Sequence, residues 1–194
     1  MLHLLVNADQ MSLSERDLIT YCQKNDAFAQ RLLYQLYVND LLKLCFRYVN
    51  NKTDIEDILQ HSFEKVFLKI GQFEYKGAGS LKAWIHRIAI NECLMHIRKN
   101  KTFNISFIDE TTWLEDKIDH SDHEPEANNT FELSHVQACI RKLPDGYRAV
   151  LNLYVFDEMT HEKVADTLGI SINTSKSQLS RARKLLKKLL NSES

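Results

Sequence analysis

Residues 160–190, THEKVADTLGISINTSKSQLSRARKLLKKLL, carry the clearest chemical signal in the chain. Residues 171–190 contain six basic side chains and no acidic one, which gives a local charge of +6. Arginine and lysine can donate hydrogen bonds to guanine edges or to phosphates, and serine and threonine hydroxyls can serve either. The candidate nucleic-acid contacts are therefore Thr174, Lys176, Ser177, Ser180, Arg181 and Lys184.

Two predicted helices would position this basic surface. Thr160 can cap a short helix, and Gly169 suits the left-handed conformation that ends one. Ser171 can cap a second helix, whose inward side would carry Leu179, Ala182, Leu186 and Leu189. A helix, a glycine turn and a capped helix together predict a helix-turn-helix. A solvated basic helix is the alternative for a run of lysine and arginine alone, and the turn favours DNA binding.

The composition predicts an all-α protein. Only 5 glycines and 2 prolines occur in 194 residues, too few turn-formers for a many-stranded sheet. Apolar residues recur at three- and four-residue spacing before residue 102 and again after residue 130. Between them, eight acidic residues and one basic residue give 102–130 a charge of −7. We predict two small helical domains, 1–101 and 131–194, joined by an acidic flexible linker over 102–130.

Other classes of function find no support in the sequence. The eight histidines form no HExxH pair, and no glycine-rich phosphate loop or GxSxG motif occurs, so we predict neither an enzyme nor a metal or cofactor site. The four cysteines form no CxxC pair, which favours a reducing compartment. No apolar run approaches the roughly 20 residues of a membrane helix. The expected location is the cytoplasm.

Segments of both halves resemble the extracytoplasmic-function sigma factors of bacterial RNA polymerase. Residues 143–186 resemble the domain that reads the minus-thirty-five promoter element, 54–73 the segment that docks on the polymerase clamp helices, and 79–101 the segment that recognises and opens the minus-ten element. The resemblance implies three partners: core RNA polymerase, promoter DNA and an anti-sigma factor. Ser175 stands where the family usually has valine, which predicts either weaker packing between the two helices of the helix-turn-helix or a more mobile second helix.

The segment that resembles the polymerase-docking region has an acidic side. In DIEDILQHSFEKVF, apolar positions alternate with acidic ones, so one face can pack inward while another stays acidic. Such a face suits a basic helical partner. The predicted polymerase contacts are Asp54, Glu56, Asp57, Gln60 and Phe63, and an ordinary surface helix is the alternative.

The following segment combines a glycine-rich loop with a basic helix. Gly71, Gly77 and Gly79 are three of the five glycines, and they are interleaved with aromatic residues. A flexible backbone lined by aromatic and polar groups can receive an unstacked base during melting. The loop candidates are Phe73, Tyr75, Lys76 and Ser80, and a plain loop anchored to the core is the alternative. On the next helix the predicted DNA contacts are Arg87, Asn91, Arg98, Lys99 and Lys101.

The sequence therefore predicts a sigma factor that binds core polymerase, recognises promoter DNA and assists its melting. One alternative is a helix-turn-helix regulator that binds DNA as a dimer without polymerase. Another is a helical adaptor that binds only protein.

Overall fold

The computed structural model describes residues 13–99 and 133–192. Every regular element in these two ranges is helical, as predicted, and there are eight α-helices among them. The chain divides between His96 and Ile97 into two compact units. The predicted linker, 102–130, lies outside the described residues, and its bounds stay a prediction. None of the described helices is long and apolar enough to span a membrane.

The N-terminal unit contains four α-helices with side-chain caps at the starts of the first three. The helices are α1 (Glu15–Gln23), α2 (Ala27–Tyr48), α3 (Lys52–Lys69) and α4 (Ser80–Lys99), with a short 3-10 turn at Ile70–Gln72. Oxygens of Ser14, Asp26 and Asn51 accept hydrogen bonds from backbone amides in the first turns of α1, α2 and α3. These caps satisfy donors that a helix start leaves without a partner.

The apolar stripes of these helices meet in one core. Its fully buried side chains include Leu33, Leu41, Ile55, Leu81 and Ile85, contributed by α2, α3 and α4. Burial of such side chains is the main driving force that holds the helices together. The core fixes one side of α4 and leaves another side exposed.

The C-terminal unit places three shorter helices against one long helix. Helices α5 (Leu133–Arg141), α6 (Asp145–Leu151) and α7 (His161–Leu168) all contact α8 (Ile172–Ser192), and a π-helical segment spans Asn152–Phe156. The buried apolar residues of this unit include Val150, Leu153, Val164, Leu168 and Leu179.

A buried arginine joins the start of α6 to the end of α5. Arg148 is 4% exposed, donates hydrogen bonds to the carbonyl oxygens of Arg141 (2.9 Å) and Leu143 (3.0 Å), and pairs with Asp145. Burial lowers the pKa of Arg148 from its ordinary value, while Asp145 acts in the opposite direction. A buried cation without these partners would strongly destabilise the unit.

Candidate nucleic-acid interface

The helix-turn-helix is formed by α7 and α8, and each predicted local signal is confirmed. The Thr160 hydroxyl accepts a hydrogen bond from the Lys163 amide (3.3 Å), which caps α7. Gly169 ends α7 with φ = +70°, a left-handed conformation that glycine adopts without strain. The Ser171 hydroxyl accepts from the Thr174 amide (2.9 Å) and caps α8. The chain therefore turns within a few residues and packs α8 against α7.

One side of α8 faces the core and the other faces solvent. Leu179 and Ala182 are buried, and Thr174 is half-buried with its hydroxyl 2.8 Å from that of Ser171. The other predicted contacts are exposed: Lys176, Ser177, Ser180, Arg181 and Lys184. The structure thus brings the predicted set onto the outer half of α8, where a groove-binding helix needs its polar side chains.

Asn173 belongs to the same outer surface and was not predicted. It is exposed in the first turn of α8 and lies four residues before Ser177 on one face of the helix. The N-terminal residues of a recognition helix contact base edges, and asparagine can bind adenine with two hydrogen bonds. The spacing 173, 177, 180 and 184 on a helical projection is the signal that would have found it.

Ser175 joins the two helices of the helix-turn-helix by a hydrogen bond that the sequence did not predict. Its side chain is fully buried, and its hydroxyl lies 2.9 Å from Nδ1 of His161 on α7. The His161 ring stacks on Tyr154 with 4.4 Å between centroids. A hydrogen bond therefore joins the two helices where the family usually has a valine.

The His161 ring carries a depressed pKa. Partial burial lowers the pKa of His161 below its ordinary value of 6.5, and the nearby charges of Lys176 and Arg183 lower it further against the opposite effect of Glu162. The neutral ring adds no positive charge beside α8 at physiological pH.

The second predicted DNA surface lies on α4. Arg87 and Asn91 are exposed one turn apart, and Arg98 and Lys99 are exposed at the C-terminal end of the helix. Met95 is 54% exposed and lies between Asn91 and Arg98 on the same face, a position that the sequence analysis did not include. Lys101 lies outside the described residues. The face combines cations for phosphates with an amide and a thioether for bases.

Two lysine–carboxylate ion pairs and two histidine–carboxylate contacts attach α4 to the neighbouring helices. Asp40 on α2 binds both Lys82 and His86 at 2.9 Å. On α3, Lys65 contacts Glu92 at 2.6 Å, and Asp54 contacts His96 at 3.3 Å.

Asp40, the residue of α2 that pairs with α4, is held in its charged form. Partial burial acts to raise the pKa of Asp40, but hydrogen bonds from Lys82 and His86 outweigh it and leave that pKa below its ordinary value. The charged network fixes the rotation of α4 about its axis and therefore the direction of its exposed face.

The aromatic rings of the glycine-rich loop before α4 contact neighbouring side chains. Phe73 packs on Trp84 with 4.9 Å between ring centroids, and the Arg16 guanidinium lies 5.5 Å from the Tyr75 ring. The Ser80 hydroxyl accepts from the Lys76 amide (3.2 Å), and the Lys76 side chain is exposed. The rings anchor the loop, as the alternative interpretation expected, and Tyr75 keeps an intermediate exposure at its centre.

The acidic surface of α3 is only partly as predicted. Glu56, Asp57 and Gln60 are exposed, and Asp54 is engaged with His96. Phe63 is 4% exposed, with 4.6 Å between its ring centroid and that of Tyr34. This burial corrects the assignment of Phe63, whose ring supports the surface from inside the core and offers no free face to a partner.

Two family models match the chain at these sites. The Sigma-70 region 2 model matches residues 33–103, which include α3, the glycine-rich loop and α4. The Sigma-70 region 4 model matches residues 134–186, which include the helix-turn-helix. The ECF RNA polymerase sigma factor SigW of Bacillus subtilis is 30% identical over 171 residues, 85% of this chain and 89% of the relative. The chain belongs to the ECF RNA polymerase sigma factors.

This sigma factor is also similar in sequence to a second relative and in fold to two solved structures. The RNA polymerase sigma-H factor of Pseudomonas aeruginosa is 26% identical over 91% of this chain and 93% of its own. CnrH, in complex with the cytosolic domain of CnrY, has a TM-score of 0.52 at 21% identity, over 93% of this chain and 99% of that one. RpoE from Bartonella quintana, in complex with the anti-sigma factor NepR, has a TM-score of 0.51 at 24% identity, over 83% and 96%. These structures share its fold.

Membership of the family gives the chain its general function. Sigma factors act in transcription initiation as subunits that direct RNA polymerase to promoters, so the sigma factor is a non-catalytic initiation factor. A stand-alone helix-turn-helix regulator would account for the region 4 match but not for the region 2 match across α3 and α4.

Proposed function

We propose that this sigma factor uses three surfaces in sequence. The acidic surface of α3 binds core RNA polymerase, α8 reads the upstream promoter element, and the loop Phe73–Ser80 with the exposed face of α4 receives the melted minus-ten element. The observation that carries the proposal is the exposure of three separate polar surfaces on helices whose opposite sides are buried.

The polymerase contact is assigned to Glu56, Asp57 and Gln60. Asp57 is exposed, whereas Glu56 lies 3.8 Å from Lys52 and Gln60 donates to Glu64 at 3.1 Å. Asp57 therefore has the carboxylate most available to a basic partner. Complementary charge speeds the encounter and fixes the register of the two surfaces.

The experiment reverses this charge. Asp57→Arg should abolish co-elution of the full-length sigma factor with core polymerase, because it sets two positive surfaces against each other. The matched control is Asp166→Arg, which reverses an exposed acid on α7 and should leave co-elution intact. Far-UV circular dichroism checks that both variants stay helical. Undiminished co-elution of Asp57→Arg would remove the assignment of α3.

We also propose that the sigma factor binds an anti-sigma factor. Its proposed location is the cytoplasm, where RNA polymerase works. The support is the resemblance in sequence and the two similar folds, each of which was captured with such a partner or with a cytosolic domain. The test is to purify the tagged sigma factor from its unstressed host and identify what accompanies it. Recovery of core polymerase alone, with no stoichiometric second protein, would contradict the anti-sigma part.

A further inference from the structure

Helix α1 holds both ends of the glycine-rich loop. At the first end, the side-chain amide of Gln23 donates to the carbonyl oxygens of Ile70 (3.1 Å) and Phe73 (3.0 Å). At the second end, a carboxylate oxygen of Glu15 accepts from the backbone amide of Gly79 (3.3 Å). Between them, Arg16 lies over the Tyr75 ring.

The Gln23 contact uses the full donor capacity of its side chain. A glutamine amide nitrogen carries two hydrogens, and here both are given to carbonyls at the point where α3 ends and the loop begins. The contact joins residues 47 and 50 positions apart in sequence. No neighbouring residue on α1 can replace it, because the next residues of a helix point in other directions.

The rings of Phe73 and Tyr75 anchor the first half of the loop, but its glycine tip has no such contact. A Cβ built on Gly77 or on Gly79 would meet nothing within 4 Å, so the glycines are not packed against the protein. Their φ angles of +118° and +83° require glycine for conformational reasons alone. A loop without packing at its tip depends on its anchors for position, and binding sites work only when their supporting residues hold them in place.

We propose that Gln23, assisted by Glu15, is a positioning residue for promoter melting. The two side chains fix the position of the two ends of the loop against α1, and so determine how the loop receives an unstacked base and which base it accepts. The inference rests on the proposed function of the loop. Gln23 acts through the backbone of the loop and touches no DNA itself.

The test uses two substitutions of similar length that differ in hydrogen-bond donors. Gln23→Glu places carboxylate oxygens against two carbonyl oxygens, whereas Gln23→Lys keeps a donor at the same site. Each full-length variant is combined with core polymerase, and open-complex formation is measured on a duplex promoter, on a pre-melted copy and on copies with one minus-ten base changed. Thr20→Ala is the control, because Thr20 is exposed on α1 and donates only within its own helix, to the Arg16 carbonyl.

The expected result separates melting from binding. Gln23→Glu should slow open-complex formation on the duplex about tenfold, the size expected when two hydrogen bonds that hold a loop are lost. It should also reduce the preference for the correct minus-ten base, and the pre-melted template should restore most of the rate. Gln23→Lys should recover the base preference, and Thr20→Ala should match the wild type.

Two outcomes overturn the inference. Unchanged rate and base preference in Gln23→Glu would mean that the anchor does not position the loop. Equal loss in Gln23→Glu and Gln23→Lys would mean that Gln23 contributes only to folding. Tyr75→Ala separates these failures from that of the proposed function: if this loop variant also keeps the wild-type base preference, the loop itself does not receive the base.

Discussion

The two helices proposed to bind DNA are both seated by buried apolar side chains, but they differ in the polar interactions that support them. Helix α4 is also tied to its neighbours by the ion pairs Asp40–Lys82 and Lys65–Glu92 and by the contact between Asp54 and His96. Helix α8 is seated by buried apolar side chains and by the hydrogen bond between Ser175 and His161. The difference follows from charge: acidic partners beside α8 would cancel the positive potential that attracts DNA, whereas α4 is less basic and tolerates them.

Loss of the buried arginine should have the largest effect on stability and should be confined to the C-terminal unit. Arg148→Met removes the cation but leaves two carbonyl oxygens and Asp145 without it. We expect the free energy of unfolding of that unit to fall by about 3 kcal/mol. Hydrogen-exchange mass spectrometry across a urea series reports each unit separately. The matched control is Lys163→Met, which replaces an exposed residue. If Arg148→Met lowers the free energy of unfolding equally in both units, its effect is not confined to the C-terminal unit.

Removal of a proposed reading residue should affect DNA binding without affecting stability. Arg181→Ala should weaken binding of the polymerase complex to the upstream element by about 1–3 kcal/mol if the guanidinium contacts a base. Arg87→Ala should leave that element unaffected and weaken the minus-ten contact instead. Gel-shift titrations on promoters with one element changed at a time measure both. If Arg181→Ala weakens all sequences equally, the residue contacts phosphate only.

Disruption of the charged network around α4 should have a smaller effect. Asp40→Asn keeps the shape of the side chain but removes its charge, and Asp40 is 38% exposed, so solvent weakens the pairs. We expect a loss below about 1 kcal/mol in the N-terminal unit. The loss should shrink in high salt, in contrast to that of Arg148→Met. A salt-independent loss would show that Asp40 acts through packing.

Mild acidification should give the smallest effect and should act first on the C-terminal unit. Folding lowers the pKa of His161 below its ordinary value of 6.5. As pH drops through 6.5, His161 therefore takes up a proton in the unfolded chain before it does so in the folded chain, and the free energy of unfolding falls. The pKa of Asp40 is lowered from 3.8, so its contribution persists until pH falls below that value. Urea midpoints at pH 7.5 and 5.5, with His161→Asn as the reference, measure the difference.

Local signals in the sequence predicted local structure well. The caps at Thr160 and Ser171 and the turn at Gly169 depend on residues at most three positions away, so the helix-turn-helix could be derived without knowledge of the rest of the chain. The opposite holds for contacts between distant segments. The Gln23 anchor and the pairing of Ser175 with His161 depend on which helices come together, which spacing alone does not specify.

The error at Phe63 has the same origin. An amphipathic pattern shows that α3 has an apolar side, but not which neighbour covers each residue, and Tyr34 on α2 covers this one. Asp57 and Gln60, on the same helix, are exposed as predicted. No other element packs over these two side chains in the described part of the chain.

The Gln23 anchor has a consequence for how such a protein diversifies. The amide binds carbonyl oxygens of the main chain, which every amino acid provides. Substitutions at Glu74 or Lys76 can therefore alter the chemistry offered to a base without releasing the loop from α1. Loop substitutions can therefore change promoter preference while the position of the loop stays the same. Duplicated copies of the gene can diverge in this way without any of the intermediate variants losing its fold.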